Sequence, residues 1–295
     1  MPATLHRQRL LAVLLLLIAI ASIQLGASLA KSLFSQVGAS GATTLRLLLA
    51  TFLLWAWQRP WRTLPPAAIW PLLVAYGSAL GIMNLLFYQA LRTVPVGLTV
   101  ALEFTGPLCL TLASTRRLRD LPWLALALAG LFVLLPLRGV ASVDPVGAAC
   151  ALGAGVCWAA YMLAGRRVGA RLGRAATPWG MAVALLWALP FGTTSAAARL
   201  FDPAVLPTAL AVAILSSALP YPLEMAAMQR LPTRTFGVLL SLDPVVAALA
   251  GWLVLGEALS PAQIAAILAI MVASAGTTLD GQPPADARSD ELPVP

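Results

Sequence analysis

Ten apolar stretches, each about long enough to cross a bilayer, run through the chain almost from end to end, and the loops between them are too short to hold a separate domain. A helix crosses the hydrocarbon with about 20 apolar residues at roughly 1.5 Å each. The stretches lie near 10–30, 42–57, 68–90, 96–113, 121–137, 146–165, 178–194, 205–226, 235–255 and 262–279. With 60% hydrophobic and only 10% charged residues, no water-soluble fold hides so much apolar surface. The expectation is an all-α integral membrane protein with ten transmembrane helices and the lipid bilayer as its solvent.

The loops set a direction, because Lys and Arg concentrate in short loops on the cytoplasmic face. With the N-terminus inside, that face carries Arg7, Arg9, Arg59, Arg62, Arg116, Arg117, Arg119, Arg166, Arg167, Arg171, Arg174, Arg230, Arg234 and Arg288. The opposite face has only Lys31, Arg92, Arg138 and Arg199, and Arg46 falls inside the second stretch. This asymmetry predicts that both termini are cytoplasmic. It also accounts for the net charge of +8 without nucleic acid as a partner, since the basic residues are strung between helices rather than gathered on one face.

Five stretches precede the loop at 138–145 and five follow it. An odd number per half turns the second half upside down relative to the first, as in inverted-repeat transporters. The expected domains are two five-helix repeats, 1–138 and 139–279. The acidic, Pro-rich segment 280–295 has no apolar pattern and reads as a disordered cytoplasmic tail. A shift of 137 residues lays Pro95 on Pro232, Leu102 on Leu239 and Pro107 on Pro244, in keeping with a duplication. The first stretch resembles a secretory signal, with Arg7 and Arg9 before it and Ser28-Leu29-Ala30 at its end. Its full-span length favours a retained helix. Asp144-Pro145, Thr177-Pro178, Asp202-Pro203 and Ser260-Pro261 read as helix starts, with Ser260 and Gln263 at capping-box spacing. Gly77 and Gly81 form a GxxxG pair that reads as close packing inside the bundle.

The composition excludes several chemistries. His6, the only histidine, lies before the first stretch, which removes Ser-His-Asp hydrolysis and histidine proton relays within the membrane. Cys109, Cys150 and Cys157 sit within stretches without metal-ligand spacing and read as packing residues. There is no phosphate-binding glycine loop, hence no ATP-driven transport within this chain. No cofactor, no metal and no enzyme activity are expected.

Ionisable groups in spans are costly and mark function by default. Glu103 stands roughly 12 Å into the fourth stretch, and Asp243 at similar depth in the ninth, counted from the other face. Each precedes a proline, Pro107 or Pro244, that bends the helix and frees a backbone carbonyl one turn earlier. Glu103, Asp243 and, nearer the cytoplasmic end of the eighth stretch, Glu224 are the candidate proton-coupling groups. The other reading makes them structural acids bonded to hydroxyls or to Arg46. Arg46 snorkels, pairs with an acid, or grips a substrate carboxylate in a bidentate fork. Lys31 is either an interfacial anchor or a substrate contact. Gln24, Ser28, Asn84, Tyr88, Thr99, Trp158, Tyr161 and Tyr221 are the remaining candidates to line a substrate cavity. Uncharged donors and acceptors of this kind suit a small polar solute, although Ser and Thr also bond their own backbone.

Several segments carry a resemblance. Ala21-Ser-Ile-Gln-Leu-Gly-Ala-Ser-Leu-Ala-Lys-Ser-Leu-Phe34, Val100-Ala-Leu-Glu-Phe-Thr-Gly-Pro-Leu108, Ile214-Leu-Ser-Ser-Ala-Leu-Pro-Tyr221 and Leu231-Pro-Thr-Arg-Thr-Phe-Gly237 resemble the bacterial threonine/homoserine exporters. These belong to the EamA branch of the drug/metabolite transporter superfamily, whose general pattern is matched by Leu255-Gly-Glu257. The resemblance runs from about residue 20 to 279. It implies ten helices in two inverted five-helix repeats, an inner-membrane location, and proton-driven efflux of small hydrophilic amino acids. Asp243 departs from it, since such proteins usually carry Glu there. A same-fold exporter of an aromatic amino acid or a cationic compound is the nearest alternative. A non-transporting membrane protein is the more distant one.

Overall fold

The computed structural model describes residues 2–62, 64–114, 121–134, 143–196, 199–228, 230–231 and 233–280. Arg116, Arg117, Arg119 and Arg138, most of the loop at 138–145, Pro232 and the tail beyond Asp280 lie outside the described residues.

The described chain folds into α1 (Pro2–Ser32), α2 (Phe34–Gln58), α3 (Trp70–Ala90), α4 (Val96–Ser114), α5 (Leu121–Leu134), α6 (Pro145–Leu172), α7 (Ala176–Ala196), α8 (Leu206–Ala213), α9 (Pro220–Met228), α10 (Thr233–Leu240), α11 (Asp243–Leu255) and α12 (Pro261–Asp280). Among the described residues, six segments are long and apolar enough to cross a membrane: Leu10–Ser32, Phe34–Gln58, Ala67–Ala90, Pro145–Thr194, Leu206–Glu224 and Thr235–Leu255. The Pro145–Thr194 segment contains both α6 and α7, joined by a single turn at Gly173–Ala175. Val96–Leu110, Pro122–Val133 and Pro261–Gly276 are shorter apolar helices. Phe52, Val156, Leu186, Trp252 and Leu253 are each at least 60% exposed on the outside of the bundle, a surface that suits hydrocarbon and not water.

The predicted start of the second span moves. Helix α2 begins at Phe34 rather than near 42 and passes through a non-helical residue, Gly38, at φ 69°, a conformation that glycine tolerates without strain. Arg46, expected near an end of its span, therefore stands near the middle of α2. Two mid-bundle distortions follow in the second half. Ile214–Ala218 forms a π-helical turn between α8 and α9. Pro220, just beyond it, has no N–H to continue the ladder, and such bulges often sit at functional sites. Between α10 and α11 the chain breaks at Ser241–Leu242, so that Asp243 and Pro244 open a new helix. In contrast, α4 runs through Pro107 as one helix.

The capping signals resolve individually. Asp144 Oδ2 accepts the Gly147 N–H at 2.7 Å and the Thr93 hydroxyl at 2.9 Å, starting α6. Ser260 and Gln263 close a reciprocal capping box before α12. Asp202 instead caps a turn, accepting the Ala204 N–H at 2.9 Å, and α8 begins only at Leu206. Thr177 lies inside the first turn of α7 rather than before it.

The first half of the chain packs into the second. Helix α3 lies against α6 and α7, α2 against α7 and α8, α4 against α6 and α11, and α5 against α12. Helix α1 is held by α8, α9, α11 and the π-helical turn, with Ala12, Leu16 and Ile20 buried. Small residues bring these helices together, as expected where dispersion rather than water exclusion drives packing. A Cβ on Gly81 would stand 2.8 Å from Ala184 O, and one on Gly77 2.7 Å from Gly180 O. The GxxxG pair thus packs on α7 inside the bundle.

Candidate substrate cavity

Mid-bundle polar residues from seven helices and the π-helical turn converge on one cavity of about 80 Å³. It is lined by Gln24 of α1, Arg46 of α2, Asn84 of α3, Glu103 of α4, Trp158 and Tyr161 of α6, Ser216 of the π-helical turn, Tyr221 and Glu224 of α9, and Asp243 of α11. Ile20, Met83, Phe87 and Val100 supply an apolar wall.

Arg46 is 4% exposed. One terminal nitrogen donates to Asn84 Oδ1, and the guanidinium carbon sits 5.0 Å from the centre of the Tyr88 ring, a cation–π distance. Asn84 is itself fixed by its amide donating to Leu80 O at 2.7 Å. The Arg46 Nε has no hydrogen-bond partner among the described residues. Asn84 and Tyr88 orient the fork but bring no negative charge to it.

Three acids share the cavity with Arg46. Asp243 stands at the N-terminal end of α11, and its Oδ1 accepts the Gln24 side-chain N–H at 2.9 Å. Glu103, 7% exposed, faces Asp243 and Arg46. Glu224 faces Asp243 from α9. Three carboxyl groups and one guanidinium thus share a site in which Arg46, Glu103 and Asp243 are buried and Glu224 is partly buried, and each buried charge needs an opposite charge or fixed dipoles nearby. The backbone crossing beside Glu103 is unusually close. A Cβ placed on Gly155 of α6 would lie 3.2 Å from the Glu103 carbonyl carbon, so the absence of a side chain there sets the position of Glu103.

A second, larger chamber of about 480 Å³ adjoins the cavity through Trp158, Tyr161, Tyr221, Glu224 and Leu240. It extends past Gly165, Arg166, Gly169 and Thr177. The rings of Tyr76 and Tyr161 stack at 5.0 Å between centroids along its wall. Nearer the opposite end of the bundle, Lys31 Nζ meets Glu257 Oε1 at 2.6 Å.

Most of the residues singled out from sequence converge here: Gln24, Arg46, Asn84, Glu103, Trp158, Tyr161, Tyr221, Glu224 and Asp243. Four do not line the cavity. Lys31 is tied to Glu257 and Val94 O. Thr99 donates to its own helix at Pro95 O. Tyr88 lies behind Arg46 as its ring platform. Ser28 is fully buried, its hydroxyl without a partner among the described residues. Of the two prolines, Pro244 sits in the first turn of α11 and Pro107 within α4. Sequence reasoning missed Ser216, whose hydroxyl donates to Val212 O at 2.7 Å. The Ser216-Ser217 pair one turn before Pro220 was the available signal.

A bundle of long apolar helices around a cavity that holds buried charged groups fits a membrane transporter. Residues 145–279 match the EamA-like transporter family. The chain is 52% identical over 281 residues to the threonine/homoserine exporter RhtA of Escherichia coli (strain K12), covering 95% of each chain. It is 52% identical over 270 residues to the threonine/homoserine exporter RhtA of Salmonella typhimurium (strain LT2), covering 91% of this chain and 92% of that one. A crystal structure with 24% identity superposes with a TM-score of 0.59 over 90% of this chain and 96% of the other, a likeness of fold alone. The chain belongs to the EamA-like transporter family, in the branch of the threonine/homoserine exporters. It is a multi-pass membrane transporter and not an enzyme.

Proposed function

We propose that this protein is an inner-membrane exporter of small hydrophilic amino acids such as threonine and homoserine, driven by the proton gradient. The observation that carries the reading is the buried Arg46 guanidinium, held by Asn84 and Tyr88 with its Nε free, in the same small cavity as Glu103 and Asp243. Leaving a charge unpaired at such depth costs several kcal/mol. A substrate carboxylate bound to the Arg46 fork offsets that cost, and the ammonium of the same molecule turns toward the acids. The two charges of an amino acid match a cavity that is lined by both a guanidinium and carboxyl groups. Its size suits a solute of few heavy atoms better than a large apolar drug. The named activity of the Escherichia coli and Salmonella relatives points the same way.

Export against a gradient needs protons and substrate to favour different states of the carrier. Glu103 is the leading proton carrier, Asp243 the second and Glu224 the third. The architecture we propose is ten membrane-spanning helices in two inverted five-helix repeats, 1–138 and 139–279, with both termini and the tail 280–295 cytoplasmic. The paired packing supports it: α3 on α6 is matched by α1 on the α8–α9 span, and α4 on α6 by α1 on α11. The basic-residue asymmetry assigns the Arg166 end to the cytoplasm, so the large chamber faces the cytoplasm and the Lys31 end is closed.

The test is amino-acid content of cells and medium with and without the protein. The reading requires extra threonine or homoserine in the medium and less inside. Selective loss of an aromatic amino acid or a cationic compound instead would keep the fold and replace the substrate.

A further inference from the structure

We propose that Gln24 is the residue through which the charge state of Asp243 sets the affinity for the substrate's ammonium group. The inference rests on the amino-acid reading above and adds a specificity and coupling role for one side chain. Gln24 is 2% exposed in the second half of α1 and lines the cavity. Its Nε2 donates to Asp243 Oδ1 at 2.9 Å. A carboxylate only accepts, so an ionised Asp243 holds the amide with nitrogen toward itself and oxygen away. That oxygen is buried and has no partner among the described residues. A buried carbonyl without a donor is costly, and this one belongs to a residue of the cavity wall. An ammonium group placed in the cavity supplies the missing donor.

Protonation reverses the arrangement. When the Asp243 carboxylate takes a proton from a hydronium ion that enters from the acidic side, leaving water, it becomes a neutral acid with one O–H. That O–H donates to the Gln24 carbonyl once the amide turns over, and the Gln24 amino group then faces the cavity. Two N–H donors now stand where the ammonium was held, and the site repels it. Proton and substrate exclude one another through a single amide, with no bond formed other than O–H on Asp243. Asp243 is faced by Gln24 from α1, Glu103 from α4 and Glu224 from α9, and Arg46 of α2 faces Glu103. Helix α12, which also packs on α11, brings no ionisable residue before Asp280.

The experiment is calorimetric binding of threonine and of homoserine to the purified protein at mildly acidic and mildly alkaline pH. Wild-type protein binds more weakly in acid. Gln24→Met, similar in length but without the amide, binds about tenfold more weakly at alkaline pH, the loss of one buried hydrogen bond to a charged group. It also loses most of the pH slope. Gln24→Asn keeps an amide too short to reach both Asp243 and the substrate and shows the same flattening, which supplies the readout if the Met variant does not fold. Wild-type affinity and slope in either folded variant overturn the role of Gln24 while leaving the exporter reading intact. Wild-type protein that binds neither amino acid at any pH overturns the amino-acid reading itself, and this inference with it.

Discussion

Lys31, in the last turn of α1, and Glu257, just beyond α11, meet at 2.6 Å, and the second oxygen of Glu257 takes the Val96 N–H at 2.7 Å. One carboxylate thus ties together the ends of α1, α4 and α11, the helices that carry Gln24, Glu103 and Asp243. The side chains are 22% and 14% exposed, so the tie is shielded more than a surface ion pair but must open if the cavity is to reach that side of the membrane. Glu257→Gln should slow or unbalance transport by about three- to tenfold, on the scale of one charge-assisted hydrogen bond. Exchanging the two charges, Lys31→Glu with Glu257→Lys, should recover part of it. Efflux rates of the single and double variants decide the point. An unaltered Glu257→Gln rate would leave the pair without a role in the cycle.

In the proposed reading Arg46 holds the substrate carboxylate. Arg46→Gln should abolish threonine efflux while the amount of protein in the membrane stays normal. Arg46→Lys keeps the charge but loses the planar fork and its free Nε, and should retain no more than about a tenth of the activity. Near-normal efflux in Arg46→Gln, at equal protein level, would make the residue a structural partner of Asn84 and nothing more.

How far these residues were legible beforehand follows from what each one does locally. Helix positions are set by runs of apolar residues, and these are plain in the sequence. Where a run is diluted by Ser35, Gln36 and Gly38, the start of α2 was placed about two turns late, which put Arg46 at the edge instead of the middle. The proline of the Asp243 motif announced a distortion. Whether proline bends or breaks a helix depends on its packing, so Pro107 and Pro244, aligned by the 137-residue shift, end up differently. Gln24 and Asp243 are 219 positions apart, and Lys31 and Glu257 are 226 apart. No local pattern pairs such residues. Thr99 looked the same as the cavity residues because a threonine facing a cavity and one bonded to its own helix share one sequence signal.

Gly155 should tolerate no side chain. A methyl group there presses on the Glu103 backbone, with its carbonyl carbon at 3.2 Å and its Cα at 3.3 Å. Overpacking of this kind costs about 1–3 kcal/mol. Gly155→Ala should lower the thermal midpoint in detergent and reduce efflux more than the loss of folded protein explains, because Glu103 is displaced. A variant with normal stability and normal efflux would show that the helix crossing gives way freely.

Asp144 offers a pH-dependent stability term outside the spans. Its carboxyl is held below the ordinary carboxylate range, first by the Gly147 N–H and then by the Thr93 hydroxyl. A group whose folded form releases its proton more readily than the unfolded form stabilises at neutral pH, and that contribution disappears as pH falls through the folded value. Asp144→Ala should therefore lower the thermal midpoint slightly at neutral pH and hardly at all in strong acid. An equal drop at both would assign the loss to something other than the charged cap.

The most direct measurement of the whole account uses purified protein in liposomes loaded with labelled threonine, with the outside made more acidic than the lumen. The account predicts that the imposed gradient accelerates threonine release and that protons enter the lumen in step with it. Glu103→Gln should lose that acceleration while still exchanging threonine across a membrane without a gradient. Threonine release at the same rate with and without the gradient, or Glu103→Gln driven as strongly as the wild type, would contradict a proton-coupled carrier that works through this cavity.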